Sequence, residues 1–480
     1  MSKTPLSLLA RSPKVRRTFA LASVVLATGG LVLYKAPASS AYPSNPIQQI
    51  LAADGKNAVA FSGPGAHGTF SLSHTKVLSG TSTPVYGELR IAADASGDEA
   101  KVRAPISMAV VLDTSGSMSG DKIEDAKRSI LRLLSEMRDE DEIAMVRYSS
   151  SAEVVQSLTR VGNVRSSLTQ RIREITADGG TNIPEGLRRG MSALDEAGKG
   201  RVKRIVLVSD GLDSTRAQAE SLAHSSFASG ITVSSLGIGN DFDEAYMGAV
   251  AQNGHGNFAF IKEGASLAQF LKRELEESSK TTIEHASVEL RLPEGMRFVS
   301  ATGADATVSG NVVDLRIGSL FAGDEQRVIL ELSSDGTNAS VNATAKWTKA
   351  GGDSVYSSAI PSLGLVATND ASDVDRGRDG KVFASAVSVT SSKRQLEATE
   401  AYARGDVTRA TQLAAQNEVA LTTAAAAAPE AAPVIMAQKN AYSEQKKGYA
   451  SAPPASPKAK AAAKSAAEKD MGNLRRVTTF

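Results

Sequence analysis

The stretch ISMAVVLDTSGSMSG (Ile106–Gly120) decides the fold. Ile106–Leu112 is nearly continuous in apolar residues, as expected of a strand covered on both faces. An aspartate, Asp113, ends it at once, and a Ser/Gly-rich turn follows. From there strands and helices alternate. Ile123, Ala126, Ile130, Leu133, Leu134 and Met137 recur at helical spacing over Asp121–Arg138. Strands are predicted at Glu142–Tyr148, Ala152–Leu158, Arg204–Ser209, Ile231–Ile238 and Asn257–Ile261. Helices are predicted at Val164–Ile175, Ile183–Leu194, Ala217–Ala228, Glu244–Ala251 and Leu267–Glu277. That order implies an α/β fold, a doubly wound and mostly parallel sheet, over residues 105–280. Ligands of such sheets sit at the carboxyl ends of the strands. Asp113 and Asp210 both follow apolar strands directly, so both fall at that edge.

Three segments bring oxygen-bearing side chains to the same edge. The first holds Asp113, Ser115 and Ser117 in the order D-x-S-x-S. The second, ADGGTNIPEGL (Ala177–Leu187), offers Thr181 after two glycines. The third, RIVLVSDGLDS (Arg204–Ser214), carries Asp210. Carboxylates and hydroxyls are hard ligands, suited to Mg²⁺, with Mn²⁺ or Ca²⁺ as alternatives, and unsuited to a thiophilic metal. Only two of the five are charged, so a divalent ion among them stays under-neutralised and open to another anion. Asn182 and Asp213 lie beside the set and read as capping or solvated residues.

Composition removes other chemistries. The 480-residue chain has no cysteine, which excludes disulfides, thiolate metal sites and cysteine nucleophiles. Five scattered histidines show no H-x-x-x-H spacing. A net charge of +2 gives no basis for nucleic-acid binding. No G-x-S-x-G elbow, H-E-x-x-H or phosphate loop occurs, so no enzyme is expected. At the N-terminus, Lys3, Arg11, Lys14, Arg16 and Arg17 precede the uncharged run Thr18–Tyr34, and small residues follow to Ala41. Residues 1–41 read as an export signal, or as a membrane anchor if uncleaved, with 42–57 as a linker. The protein is therefore expected outside the cytoplasm, in a periplasm, on a cell surface or beyond it.

The flanks are all-β. Two strands are expected over Thr69–Ala93. Alternating positions Val288/Leu290/Leu292, Val313/Leu315/Ile317, Val328/Leu330/Leu332 and Ala343/Ala345/Trp347 give four more. Too few strands stand on either side to close a sandwich alone. The α/β domain is therefore expected to interrupt one β-sandwich, contributed by residues 58–104 and 281–366. Residues 367–450 read as helical and alanine-rich, with a hairpin of tetratricopeptide-repeat type turning at Gly405-Asp406. Residues 451–480 read as a low-complexity basic tail. Asp373, Asp375 and Asp379 read as a solvated acidic linker, and His255 as a loop residue.

The combination of D-x-S-x-S, a loop threonine roughly 65 residues on and a strand-ending aspartate closely resembles the metal-ion-dependent adhesion site of von Willebrand factor type A domains. The resemblance covers about Ile106–Ser279. It implies direct binding of an ion by Ser115 and Ser117. Thr181 is implied to join when ligand is present, and Asp113 and Asp210 to act mostly through water or hydrogen bonds. An acidic group of a partner protein is implied in the remaining position. The implied function is metal-dependent protein binding, as an adhesin or scaffold of the cell envelope. The alternative is an auxiliary subunit of an AAA+ ATPase in metal insertion or complex assembly.

Overall fold

The structure, a computed structural model, describes residues 57–95, 104–210, 214–239, 242–261, 264–454, 456–476 and 480. The N-terminal signal or anchor, nearly all of the expected linker and Asp213 lie outside these residues. None of the described helices is long and apolar enough to cross a membrane.

Four strands precede the α/β domain: β1 (Ala58–Gly63), β2 (Ala66–Leu72), β3 (Lys76–Leu78) and β4 (Thr83–Ala93). Seven follow it: β11 (Thr281–Arg291), β12 (Met296–Thr302), β13 (Asp305–Ser309), β14 (Val312–Phe321), β15 (Glu325–Ser334), β16 (Ala339–Lys349) and β17 (Val355–Thr368). They form two sheets, ordered β1-β2-β4-β15-β12 and β13-β14-β11-β16-β17-β3. Each sheet mixes strands from both sides of the domain. One apolar core fills the space between them, with Phe70, Leu89, Val288, Leu315, Val328 and Trp347 among its members. Alternation explains the pattern, since every second residue of β4 and β16 faces inward, and β11 does the same with a shift of phase between Ile283 and Ala286. The α/β domain therefore interrupts a sandwich. The strand count before it is twice that expected, because the short β1 and β3 carry little apolar periodicity.

Within the insert the sheet order is β10-β9-β8-β5-β6-β7. Its strands are β5 (Ile106–Asp113), β6 (Glu142–Tyr148), β7 (Ala152–Arg160), β8 (Val202–Ser209), β9 (Ile231–Ile238) and β10 (His255–Ile261). Only the β6–β7 pair is antiparallel. All eight residues of β5 are buried. Met108, Val110 and Leu112 join a core with Ile130 and Leu133 of α1 (Asp121–Glu136) and Leu271 of α6 (Gly264–Ser279). Ala109 and Val111 face a second core with Leu187 of α3 (Ile183–Leu194), Ala223 of α4 (Arg216–Ala228) and Met247 of α5 (Glu244–Asn253). Helix α2 (Val161–Arg173) follows β7. Helices on both faces make the sheet doubly wound.

The C-terminal region contains α7 (Ala371–Arg376), α8 (Gly380–Ala403), α9 (Val407–Ala427), α10 (Ala432–Ser451) and α11 (Pro457–Arg475). Helices α8 and α9 form the expected hairpin around Gly405-Asp406. Helix α10 then runs parallel to α8, and the two are joined by polar side chains at a constant offset. Ser388 pairs with Gln438 at 2.7 Å, Ser392 with Tyr442 at 3.0 Å, Gln395 with Gln445 at 2.6 Å and Thr399 with Tyr449 at 3.2 Å. On α8 these positions advance in steps of four, three and four, the spacing of a coiled-coil seam with polar residues in the apolar places.

Two readings need correction. Residues 457–475 are not a fraying tail. Ser456 caps α11, whose Ala467, Asn473 and Leu474 are buried, and Lys464 is only 2% exposed. The Lys464 ammonium donates to Glu244 Oε2 at 2.6 Å and lies 3.9 Å from the Phe242 ring centre, which offsets its burial. The acidic stretch is not simply solvated either. Asp370 and Asp379 cap α7 and α8, and Asp373 bonds Lys76 Nζ at 2.9 Å.

Candidate functional site at the carboxyl edge of the inserted sheet

Strands β5 and β8 pair in register to Leu112 and Val208, so they end at the same level. Asp113 is fully buried. Its Oδ2 accepts the Ser209 hydroxyl at 2.6 Å, and its Oδ1 accepts the Ser115 amide at 2.8 Å. The first bond ties the two strand ends together. The second folds the chain into a turn. Burial pushes the Asp113 carboxyl up, the bonds from Ser209 and Ser115 pull it down, and the neighbouring Asp210 charge adds a smaller upward push.

Gly116–Met118 then form one turn of 3-10 helix, pinned by Met118, which is fully buried. Ser115 Oγ and Ser117 Oγ lie 3.0 Å apart, and Ser117 Oγ donates to Asp210 Oδ1 at 2.8 Å. Gly120 leads into α1 with φ near +80°. A Cβ there would meet nothing, so the backbone angle alone calls for glycine.

The Thr181 loop is held from the backbone. The Gly116 amide donates to the Gly179 carbonyl at 3.0 Å, and the Asp178 amide to the Thr114 carbonyl at 2.7 Å. Gly180 donates to Ser150 Oγ at 2.9 Å. Gly179 has φ near +84°, which lets the loop turn toward the first segment. Thr181 is half-buried, and among the described residues its hydroxyl makes no hydrogen bond. Asn182 is the N-cap of α3, its side chain accepting from the Glu185 amide at 3.1 Å. Asp113, Ser115, Ser117 and Asp210 thus form one hydrogen-bonded cluster. Thr181 belongs to an adjoining loop without direct side-chain contact to them.

One participant escapes the motif reading. Lys122, in the first turn of α1, places its ammonium against Asp210 Oδ2 and donates to the Ser117 carbonyl at 3.2 Å. It stands five residues after Ser117, a spacing that puts a long side chain back over the turn. Both Asp210 oxygens are therefore engaged.

The donor set is all oxygen, with two neutral hydroxyls in front and two carboxylates behind. Among the described residues no three His, Asp or Glu side chains gather as a metal cluster. A hard ion here depends on the serines. Their convergence, with each carboxylate braced by a hydroxyl or amide, fits such an ion.

Trp347 is a core residue, its indole donating to the Pro64 carbonyl at 3.1 Å. His255 is not a loop residue. It opens β10 at positive φ and stacks on Phe227 with ring centres 3.6 Å apart.

Residues 107–273 match the family model of the von Willebrand factor type A domain. An uncharacterized protein of Synechocystis is 28% identical over 51% of this chain and 60% of its own length. The uncharacterized protein YfbK of Escherichia coli is 28% identical over 48% of this chain and 42% of its own length. A human inter-alpha-trypsin inhibitor heavy chain is 25% identical over 45% of this chain and 26% of its own. The matches thus span about a quarter to three fifths of these relatives. Among solved structures, a von Willebrand factor type A protein from Catenulispora acidiphila is similar over 88% of this chain and 98% of its own, with a TM-score of 0.64 at 19% identity. An ArnB paralog from Sulfolobus acidocaldarius covers 86% of this chain and 98% of its own, with a TM-score of 0.58 at 16% identity. At these identities the likeness is one of fold, and it extends well beyond the insert. Residues 107–273 of this chain are a von Willebrand factor type A domain.

Proposed function

We propose that this chain is a non-enzymatic binding protein of the cell envelope or exterior, which holds a protein partner through a divalent ion, Mg²⁺ by preference. Ser115 and Ser117 hold the ion through their hydroxyls, Asp113 and Asp210 act from behind, and Thr181 joins from its loop. The observation that carries the reading is the pair of serine hydroxyls 3.0 Å apart with Asp210 bonded behind them. When bound, a hard divalent ion supplies an electrophilic position that accepts a carboxylate from the partner.

The chain's own residues shape that position. Asp113 orients Ser115 and locks β5 to β8. Asp210 accepts hydrogen bonds from the Ser117 hydroxyl and the Lys122 ammonium. Two carboxylates against one ammonium leave a net charge of −1, so a divalent ion keeps a surplus of positive charge facing outward. That surplus favours an acidic residue of a partner. The basic leader and apolar run before residue 42 support export.

The test is capture of partners from a native envelope fraction, with and without EDTA. A partner retained in Mg²⁺, released by EDTA and regained on adding Mg²⁺ supports the reading. Capture indifferent to EDTA contradicts it. Recovery of the full-length, protease-protected protein from the cytosol contradicts export.

A further inference from the structure

A small polar cavity of about 20 Å³ opens where the insert, the sandwich and the last helix meet. Three guanidinium groups reach it, from Arg204 on β8, from Arg475 at the end of α11 and from Arg476 just beyond. One carboxylate, Glu277 of α6, shares the lining. Arg204 lies six residues before Asp210 along an extended strand, so the cavity is about 20 Å from the hydroxyl cluster.

The pairing of charges is uneven. Arg204 donates to Glu274 at 2.6 Å, and Arg476 to Asp324 at 3.1 Å. The Asn257 side-chain amide donates to Glu274 Oε1 at 2.7 Å and to Glu277 Oε2 at 2.8 Å. Each carboxylate near the cavity thus has at least one oxygen engaged, while Glu277 Oε1 makes no hydrogen bond among the described residues and lies 4.0 Å from an Arg476 nitrogen. Among the described residues Arg475 has no hydrogen-bond or ion-pair partner, and its Nε is sealed from the surface. Burial, aided by the Arg476 charge beside it, holds the Arg475 guanidinium down to about 10. A cation taken out of water with no acceptor is costly, and a fold keeps one where something else completes it.

We propose that this cavity binds a single small oxyanion of the phosphate or sulfate class, with Arg475 as its principal ligand. The planar fork of a guanidinium matches two oxygens of such an anion, which a spherical halide does not offer. Ser319, half-buried on β14 in the same wall, supplies a hydroxyl donor. The lining comes from the insert, the sandwich and the C-terminal end of the chain, so the bound anion clamps all three together.

The test is titration of inorganic phosphate into the full-length protein at constant ionic strength, with chloride as the balancing anion. Binding is followed by calorimetry and by the thermal unfolding midpoint. One saturable site is expected, with a raised midpoint that chloride does not reproduce. Arg475→Gln is expected to weaken phosphate binding by about tenfold or more. Ser319→Asp puts a carboxylate on the same wall and is expected to exclude phosphate. Because Ser319 is half-buried, this second variant keeps the test open if Arg475→Gln does not fold. Absence of saturable binding in the wild type, an equal response to chloride, or wild-type affinity in either folded variant overturns the proposal.

Discussion

The insert and the C-terminal helices solve the same packing problem with opposite chemistry. In the insert, β5 is sealed on both faces by aliphatic side chains, and its own polar residues, Ser107 and Asp113, lie at or next to its ends. In the C-terminal region the seam between α8 and α10 is built from serine, threonine, glutamine and tyrosine. Asn417 reaches in from α9, and Asn473 and Asp470 from α11. Apolar packing tolerates changes of shape at modest cost, whereas a buried polar network is costly once any member lacks its partner. The first design exposes a site at its edge. The second specifies one helix register.

The largest expected effect breaks the insert's side of that contrast. Ser115→Ala removes one of two converging hydroxyls from the edge and leaves the aliphatic core untouched. Mg²⁺ affinity is expected to fall by about 100-fold, with partner capture lost alongside it and the circular dichroism unchanged. Thr181→Ala, in the adjoining loop, is expected to weaken partner capture more than ion binding. Equal behaviour of the two variants removes the role given to that loop.

The second effect probes the polar region through pH. Asp470 is fully buried against the Tyr442 hydroxyl, and burial pushes its carboxyl up to about 7. An unfolded aspartate titrates near 3.9. Between those values the folded state holds a proton that the unfolded state has released. The contribution of Asp470 to stability is therefore fully present below about pH 4 and falls as pH rises toward 7, by at most about 1.4 kcal/mol per unit. Hydrogen exchange of α8 and α10 at pH 5 and pH 8 measures it. Asp470→Asn should flatten the difference, and a wild type equally protected at both pH values contradicts it.

These two regions also differ in how far they can be read from sequence. The strands of the insert stand out because continuous aliphatic runs end in Asp113 and Asp210, and the glycines mark the loops between. The seam is silent because Ser388, Ser392, Gln395 and Thr399 occupy the positions where a periodic apolar signal would appear. Helix α11 is hidden in the same way. Its alanines and lysines look like a soluble tail, and only tertiary partners such as Glu244 and Phe242 make Lys464 a buried residue. Lys122 is missed by the sequence reading, since its partner Asp210 lies 88 positions away.

A smaller effect tests the seam one residue at a time. Gln438, 1% exposed, donates to the Ser388 carbonyl at 3.0 Å and to Tyr442 OH at 2.9 Å. Gln438→Leu keeps much of the volume and strands those groups. A loss of about 1–3 kcal/mol is expected, confined to exchange protection of α8 and α10. No loss would mean that the polar residues are incidental to the register.

The smallest effect returns to the edge. Lys122→Met removes the ammonium from Asp210 without removing an oxygen ligand. Mg²⁺ affinity is expected to rise by about three- to tenfold, while affinity for an acidic partner falls, because the loaded site carries less outward positive charge. Changes of the same sign in both would contradict the charge arithmetic.

The central claim is that the carboxyl edge of the insert holds one divalent ion on its hydroxyls. Calorimetric titration of Mg²⁺, repeated with Mn²⁺, into the wild type and into Asp113→Ala tests it most directly. Asp113 braces Ser115 and ties β5 to β8 without lying in the aliphatic core. One saturable site in the wild type, absent from a still-folded Asp113→Ala, is the expected result. Equal affinity in the two proteins, or no saturable binding in the wild type, would contradict it.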